Sequence, residues 1–327
     1  MSLAFVFPGQ GSQAVGMLAS VVERPEVASL LRAADAALGE SLSGLIADGP
    51  ADALALTTNT QPAMLVAGLA LLSAWRASGG PEPAFVAGHS LGEYTALAAA
   101  GAIGVDDALR VVRVRADAMQ QAVPVGTGSM AAILGLSDAQ VREVCARAQA
   151  SGAGEPGGGA VVEPANYNAP SQVVIAGHKA AVERACAEAK ALGAKRALPL
   201  AVSAPFHSSL LEPVAPLLRA ALAGIALRSP RIDVVNNVDV AIEREPARIV
   251  DALVRQAYSP VRWVEIVQLL ASRGVDRIIE IGPGKVLSGL VKRIAPQVHS
   301  DCVHDAASLE RVLGELAAQS TNEGART

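Results

Sequence analysis

Gly88-His89-Ser90-Leu91-Gly92 lies between the apolar run Phe85-Val86-Ala87 and the Ala/Leu-rich stretch from Glu93 to Gly101. The pattern predicts a strand, a tight turn and a helix. A serine at the middle of G-x-S-x-G sits on a sharp turn, and the flanking glycines leave room for backbone and helix to approach. Its Oγ then projects above the sheet. The helix that follows aims N–H groups at the same point, where a developing oxyanion is stabilised. Ser90 is therefore a candidate nucleophile for acyl transfer. The same five residues also suit an ordinary strand-to-helix turn that happens to carry a serine.

A nucleophilic serine needs a base, and the chain offers five histidines. His89 adjoins Ser90 on the strand, so its side chain is expected on the opposite side of the sheet. His178 begins a helix, and His299 and His304 lie in a polar C-terminal region. His207 remains, in Ser203-Ala204-Pro205-Phe206-His207-Ser208, a Pro-constrained loop suited to presenting a side chain across a cleft. A lone histidine can equally be a core residue with satisfied hydrogen bonds. No acid between Ser90 and His207 has a distinctive setting, so the expected arrangement is a Ser–His pair whose imidazole is oriented by something other than a carboxylate.

The helical pattern from Val105 to Val123 adds a cation. Arg110, Arg113, Asp117 and Gln120 share a polar face, whereas Arg115 lies three or four positions from Val111, Val112, Ala118 and Met119. Burying a guanidinium without an anion is costly, so Arg115 requires a partner. An internal Asp or Glu would serve. So would a substrate carboxylate, which Arg can meet with two parallel N–H donors as Lys cannot.

The elements that must position these groups are legible as short apolar runs. Leu3 to Phe7, Phe85 to Ala87, Val234-Val235 and Arg277 to Ile281 alternate with helical patterns, as a parallel sheet with covering helices requires. Between Thr127 and Leu200 the rhythm changes. Met130 to Leu134 predicts a strand, Ser137 to Ala150 a helix capped by Ser137 or Asp138, and Ala160 to Pro164 a strand. Gln172 to Ala176, Lys179 to Leu192 and Arg196 to Leu200 continue as strand, helix and strand. That β-α-β-β-α-β order is a small ferredoxin-like domain, spanning 127–201, inserted into a larger α/β domain made of 1–126 and 202–327. The Gly-rich segment from Ser151 to Gly159 is expected to be a solvated connection.

The chain has 327 residues, 51% hydrophobic and 18% charged, enough for one large α/β domain and a smaller one. Lys+Arg 27 against Asp+Glu 31 gives a net charge of −4, and no basic run is interleaved with aromatics, which excludes nucleic acid as the expected partner. Cys145, Cys186 and Cys302 are far apart, arguing against a disulfide framework and a thiolate metal site and fitting a reduced cytoplasm. The start, Met1 to Phe7, lacks the basic residues and length of a signal peptide, and every long apolar stretch is interrupted before it could span a bilayer. Gly9-Gln10-Gly11-Ser12-Gln13-Ala14 fits the looser dinucleotide fingerprint but lacks the acidic second strand. Gly282-Pro283-Gly284-Lys285 lacks the Ser/Thr and the spacing of a phosphate loop. A loop of N–H groups after the first strand would instead complete an oxyanion hole.

Phe7-Pro8-Gly9-Gln10-Gly11-Ser12-Gln13, Gly88 to Tyr94, Asn166-Tyr167-Asn168, Pro205-Phe206-His207 and Gly282 to Leu287 occur in order over nearly the whole chain. Together they closely resemble the malonyl-CoA:acyl carrier protein transacylase family of bacterial fatty-acid synthesis. The resemblance implies a hydrolase-like α/β domain carrying the ferredoxin-like insert, with the site in the cleft between them. It implies Ser90 as the acyl-accepting nucleophile, His207 as general base, and the N–H groups of Gln10 and Leu91 as the oxyanion hole. By the same resemblance Arg115 grips the free carboxylate of malonyl, and the main-chain carbonyl of Gln256 orients the histidine, accounting for the missing acid. Leu91 and Phe206 match the large residues that accompany malonyl over methylmalonyl selection in related polyketide acyltransferases.

The implied partners are malonyl-CoA and acyl carrier protein, with no metal or redox cofactor and no membrane. Because carrier proteins are acidic, Lys285, Lys292 and Arg293 are candidate docking charges. A polyketide acyltransferase or the malonyl-loading subunit of a malonate decarboxylase would use the same residues. A serine thioesterase or other hydrolase would share Ser90 and His207 but has no reason to bury Arg115. A non-catalytic carrier-binding module would need neither Ser90 nor His207.

Overall fold

A computed structural model describes residues 2–124, 126–152, 161–202 and 204–324. Two sheets organise the chain, and their nine strands are numbered in chain order. β1 (Leu3–Phe7), β2 (Phe85–Gly88), β7 (Asp233–Val235), β8 (Arg277–Ile281) and β9 (His299–Val303) form a parallel sheet in the order β7-β2-β1-β8-β9. β1 is buried at every position. Leu3, Phe5 and Phe7 enter one apolar cluster and Ala4 and Val6 another, because alternate residues face opposite sides of a sheet covered on both. The carboxyl ends of β1, β2 and β8 lie side by side. The Gly9-Gln10 loop, the Ser90 turn and the Gly282-Pro283-Gly284 turn therefore open at one edge, where such sheets place ligands.

β3 (Gly128–Leu134), β4 (Val162–Ala169), β5 (Gln172–His178) and β6 (Arg196–Pro199) form an antiparallel sheet in the order β4-β5-β3-β6. With the helices Asp138–Ser151 and Lys179–Ala191 this is the ferredoxin-like arrangement. Ser137 caps the first helix in a reciprocal capping box with Gln140, a feature worth about 1 kcal/mol. Ile133 and Ile175 pack beneath the helices against Val141 and Ala185. The other face presents Met130, Val174 and Ala176, which pack with Phe206. Backbone bonds from Tyr167 N–H to Val261 O (2.9 Å) and from Val261 N–H to Ala165 O (2.9 Å) fasten the β4 edge to the stretch that precedes the helix Trp263–Ser272.

The structure adds one strand to those expected and lengthens another. β9 is a full strand although its sequence, His-Ser-Asp-Cys-Val, lacks an apolar run. β4 runs on past Pro164 to Ala169 through two register shifts, so Asn166-Tyr167-Asn168 belong to a bulged strand. The helix expected from Val105 to Val123 spans Val105–Gln121. Of the Gly-rich segment, Ser151 ends a helix and residues 153–160 lie outside those described. Among the described residues no helix is long and apolar enough to cross a membrane.

Candidate active site

Ser90 follows β2 after the single residue His89 and has φ 55°, a left-handed conformation that costs a non-glycine residue about 1–2 kcal/mol. The flanking glycines are required by space rather than by dihedral. A Cβ on Gly88 would stand 1.8 Å from the Gly92 carbonyl carbon, and one on Gly92 would stand 2.0 Å from Phe7 O. Asn237, just after β7, braces the turn at both ends: its Oδ1 accepts the Ser90 N–H (2.7 Å) and its Nδ2 donates to Gly88 O (2.7 Å). The helix Gly92–Ala99 then starts with its N-terminus beneath Ser90.

Ser90 Oγ lies 2.6 Å from Nε2 of His207, and His207 Nδ1 lies 2.8 Å from the main-chain oxygen of Gln256. The carbonyl can only accept, so Nδ1 carries the proton and the Nε2 lone pair faces the serine hydroxyl. Burial, and then the nearby Arg115 charge, push the His207 pKa down to about 3, so the resting imidazole is neutral. His89 takes the other course. Its Nε2 meets Asn168 Oδ1 at 2.8 Å, its ring tilts over Trp263, and burial lowers its pKa. His89 borders the cavity, but the imidazole that meets Ser90 Oγ belongs to His207.

Arg115 is 2% exposed. Its Nη1 donates to Gln61 Oε1, and its Nη2 donates to Gln256 Oε1 (2.9 Å) and Ser90 Oγ (3.2 Å). Its Cζ stands 5.5 Å from the centroid of the Tyr94 ring. Among the described residues no carboxylate forms an ion pair with it, and its Nε–H has no partner. Neutral amides therefore hold a buried cation next to the serine, leaving its charge available to an anion entering the cavity. Gln61 also donates to Thr57 Oγ1 (3.1 Å), whose hydroxyl donates to Gln10 Oε1 (2.8 Å), linking the arginine to the loop after β1.

That loop and the serine turn each present a free donor. The N–H groups of Gln10 and Leu91 have no hydrogen-bond partner among the described residues, and both residues line the same cavity as Ser90. The cavity has a volume of about 250 Å³. Its far wall comes from Met130 and Val174 of the small sheet, Leu200 just past β6, and Val286 and Leu290 of the helix Val286–Ile294, with half-buried Phe206 between.

The seven residues that the resemblance assigns to catalysis and substrate binding gather around one cavity: Ser90, His207, Gln10, Leu91, Arg115 and Phe206 line it, and Gln256 stands behind His207 and Arg115, whereas the candidate docking charges Lys285, Lys292 and Arg293 are outside its lining. Sequence reasoning assigned no role to Glu93, Asn237 or Gln61. A signal existed for Glu93 and Gln61, each a polar residue in a helix otherwise buried by apolar neighbours. None existed for Asn237, whose partner Ser90 is 147 positions away.

Comparison with known proteins adds three findings. The family model described as acyl transferase domain matches residues 4–326. A malonyl CoA-acyl carrier protein transacylase of Salmonella typhimurium is 51% identical over 311 residues, covering 95% of this chain and 98% of the relative. Among solved structures, an acyl-carrier-protein S-malonyltransferase of Burkholderia pseudomallei superposes with a TM-score of 0.92 at 60% identity, covering 96% of this chain and 100% of the other. A malonyl-transacylase solved in complex with a type II polyketide acyl-carrier protein does so with a TM-score of 0.92 at 47% identity, covering 96% and 100%.

Proposed function

The chain belongs to the acyl transferase domain family, and from that membership and the geometry of its cavity we propose that it transfers malonyl from CoA to the phosphopantetheine thiol of an acyl carrier protein. The observation that carries this reading is the buried guanidinium of Arg115, unpaired with any described carboxylate and 3.2 Å from the Ser90 hydroxyl. Malonyl differs from acetyl by one carboxylate, the group such a cation selects.

In the first half-reaction the Ser90 hydroxyl gives its proton to His207 Nε2 as Oγ attacks the thioester carbonyl. The oxyanion is held by the Gln10 and Leu91 N–H groups. On collapse the C–S bond breaks, the CoA sulfur takes the proton back from His207, and a malonyl-Ser90 ester remains. The carrier thiol then enters, gives its proton to His207 and attacks the ester carbonyl. Ser90 leaves and recovers that proton. Gln256 O steadies the imidazolium through Nδ1–H in both halves. These steps use protein groups alone, so the proposal calls on no metal or redox cofactor.

We place the reaction in the cytoplasm, supplying malonyl units to fatty-acid synthesis. A serine hydrolase would share Ser90 and His207, but it would leave Arg115 without a purpose. The test is intact-mass spectrometry of the protein with malonyl-CoA, followed by holo carrier protein. A malonyl adduct that persists in buffer and passes to the carrier is expected; an adduct lost to water as quickly without carrier would make the chain a hydrolase.

A further inference from the structure

Glu93 is 2% exposed and lies directly behind the nucleophile turn, yet no step above uses it. Its Oε2 accepts the Gln256 Nε2–H (2.8 Å) and the Asn237 main-chain N–H (3.1 Å). The second Nε2 hydrogen of Gln256 goes to Ser90 O (2.8 Å), and the amide oxygen accepts from Arg115 Nη2 (2.9 Å). Every side-chain hydrogen-bonding group of Gln256 is thereby matched to a partner of opposite character.

Turning that amide over would reverse all three contacts. Its nitrogen would face a guanidinium that can only donate, and its oxygen would face a carboxylate and a carbonyl that can only accept. The oxygen points at Arg115 because two acceptors hold the nitrogen elsewhere. One of the two, Ser90 O, is backbone and present in any serine turn. The other is Glu93.

We propose that Glu93 is a positioning residue for malonyl selection: as an acceptor behind Gln256 it fixes the amide with its oxygen toward Arg115, and so sets where the guanidinium fork meets the substrate carboxylate. This rests on the reading of Arg115 as the malonyl-binding cation. A carboxylate in direct contact with Arg115 would serve the apo protein as well but would compete with the substrate for the same donors. One intervening amide avoids that competition. Burial raises the Glu93 pKa to about 7, while the Gln256 and Asn237 hydrogen bonds and the Arg115 charge act in the opposite direction. Because two N–H groups already point at Oε2, a proton taken up by Glu93 goes to Oε1, and Oε2 accepts in either protonation state. The amide isostere of Glu93 retains an acceptor oxygen for the same two N–H groups.

The test compares acylation of the full-length protein by malonyl-CoA and acetyl-CoA in competition. Glu93→Met keeps the length and removes the acceptor; its malonyl-over-acetyl preference should fall roughly tenfold or more, the scale of one hydrogen bond to a charged group. Glu93→Gln keeps the acceptor and should restore most of the preference. Gln256→Met removes the amide but leaves the main-chain oxygen for His207, and should lose the preference to the same degree even if Glu93→Met fails to fold. If both methionine variants fold and lower the two acylation rates in equal proportion, Glu93 only supports the fold and the proposal is overturned. It is also overturned if Gln256→Met keeps the preference, or if Glu93→Gln is as impaired as Glu93→Met. A wild-type protein that forms no malonyl adduct would instead remove the functional reading itself.

Discussion

Replacing Arg115 by alanine should convert a malonyl-selective protein into an indifferent one. The guanidinium has five N–H donors; in the resting site three are engaged, by Gln61, Gln256 and Ser90 Oγ. The donor on Ser90 Oγ is released as that oxygen becomes an ester, so two donors can meet the malonyl carboxylate side by side. Each hydrogen bond to a charged group contributes about 1.5–3 kcal/mol, so the pair amounts to at least about 3 kcal/mol, or roughly two orders of magnitude in relative rate. Acetyl brings no carboxylate and loses none of this. The malonyl-to-acetyl ratio, read by intact mass after brief exposure to an equimolar mixture of the two CoA esters, should therefore fall about a hundredfold. Arg115→Lys keeps the charge without the fork and should fall between. Arg115→Ala leaves the buried oxygens of Gln61 and Gln256 short of a donor, so a lower melting temperature is expected and has to be measured alongside. A folded Arg115→Ala protein with an unchanged ratio would mean that the arginine serves only its internal amides, and the assignment of substrate would lose its physical basis.

Ser90→Ala should show no malonyl adduct in the intact-mass spectrum; labelling that persists on another residue would move the nucleophile elsewhere. His207 titrates at about 3 in the folded chain against an ordinary 6.5, so between those values the unfolded chain binds the extra proton and folding stability falls as pH drops from 6.5 toward 3. His207→Gln should accordingly lose less stability than wild type between pH 6.5 and 4 in denaturant titrations, and an equal loss would refute the depressed pKa. Charge reversal at exposed Lys285 and Lys292 should raise the carrier-protein KM while leaving acylation by malonyl-CoA unchanged; an unaltered KM would exclude this face from docking. Arg293 is a poorer docking charge than its sequence suggested, because it already donates to Gln172 Oε1 and Pro170 O on the β4–β5 hairpin.

How much of this was legible in the chain depended on how local the signal was. β1 is a run of apolar residues buried on both faces, and such a run announces itself, while β8 is legible from Ile278, Ile279 and Ile281 although Arg277 and Glu280 are buried beside them. β9 did not, because Asp301 is buried there by pairing with Arg277 of β8 (2.5 Å) and Arg311 (3.3 Å). That strand sits in the sheet by charge compensation across its neighbour, which no periodicity reports. The burial of Arg115 followed from its place on a helix face, but the identity of its partners did not. Sequence logic offered an internal acid or a substrate, whereas the structure supplies two glutamines and keeps the acid, Glu93, one amide away. Gln256 emerged only through family resemblance, since a main-chain carbonyl leaves no mark on residue type.

The two reacting groups share a feature that local propensity would argue against. Ser90 (φ 55°) and His207 (φ 61°) are both non-glycine residues in the left-handed region, and their side chains meet at 2.6 Å. Glycine would be the least strained choice at either position, but glycine has no side chain to react. The strain must therefore be balanced from outside the residue: at Ser90 by Asn237 on its N–H and Gln256 on its carbonyl, and at His207 by the Gln256 carbonyl on Nδ1. Gln256 touches both. Because one residue holds both the serine turn, through its carbonyl, and the histidine ring, through Nδ1, the distance between nucleophile and base is set by the scaffold rather than by two side chains finding each other, and little has to reorganise when substrate arrives. The same arrangement explains why the site resists reading residue by residue: its chemistry is carried by types visible in the sequence, and its geometry by hydrogen bonds between segments more than a hundred positions apart.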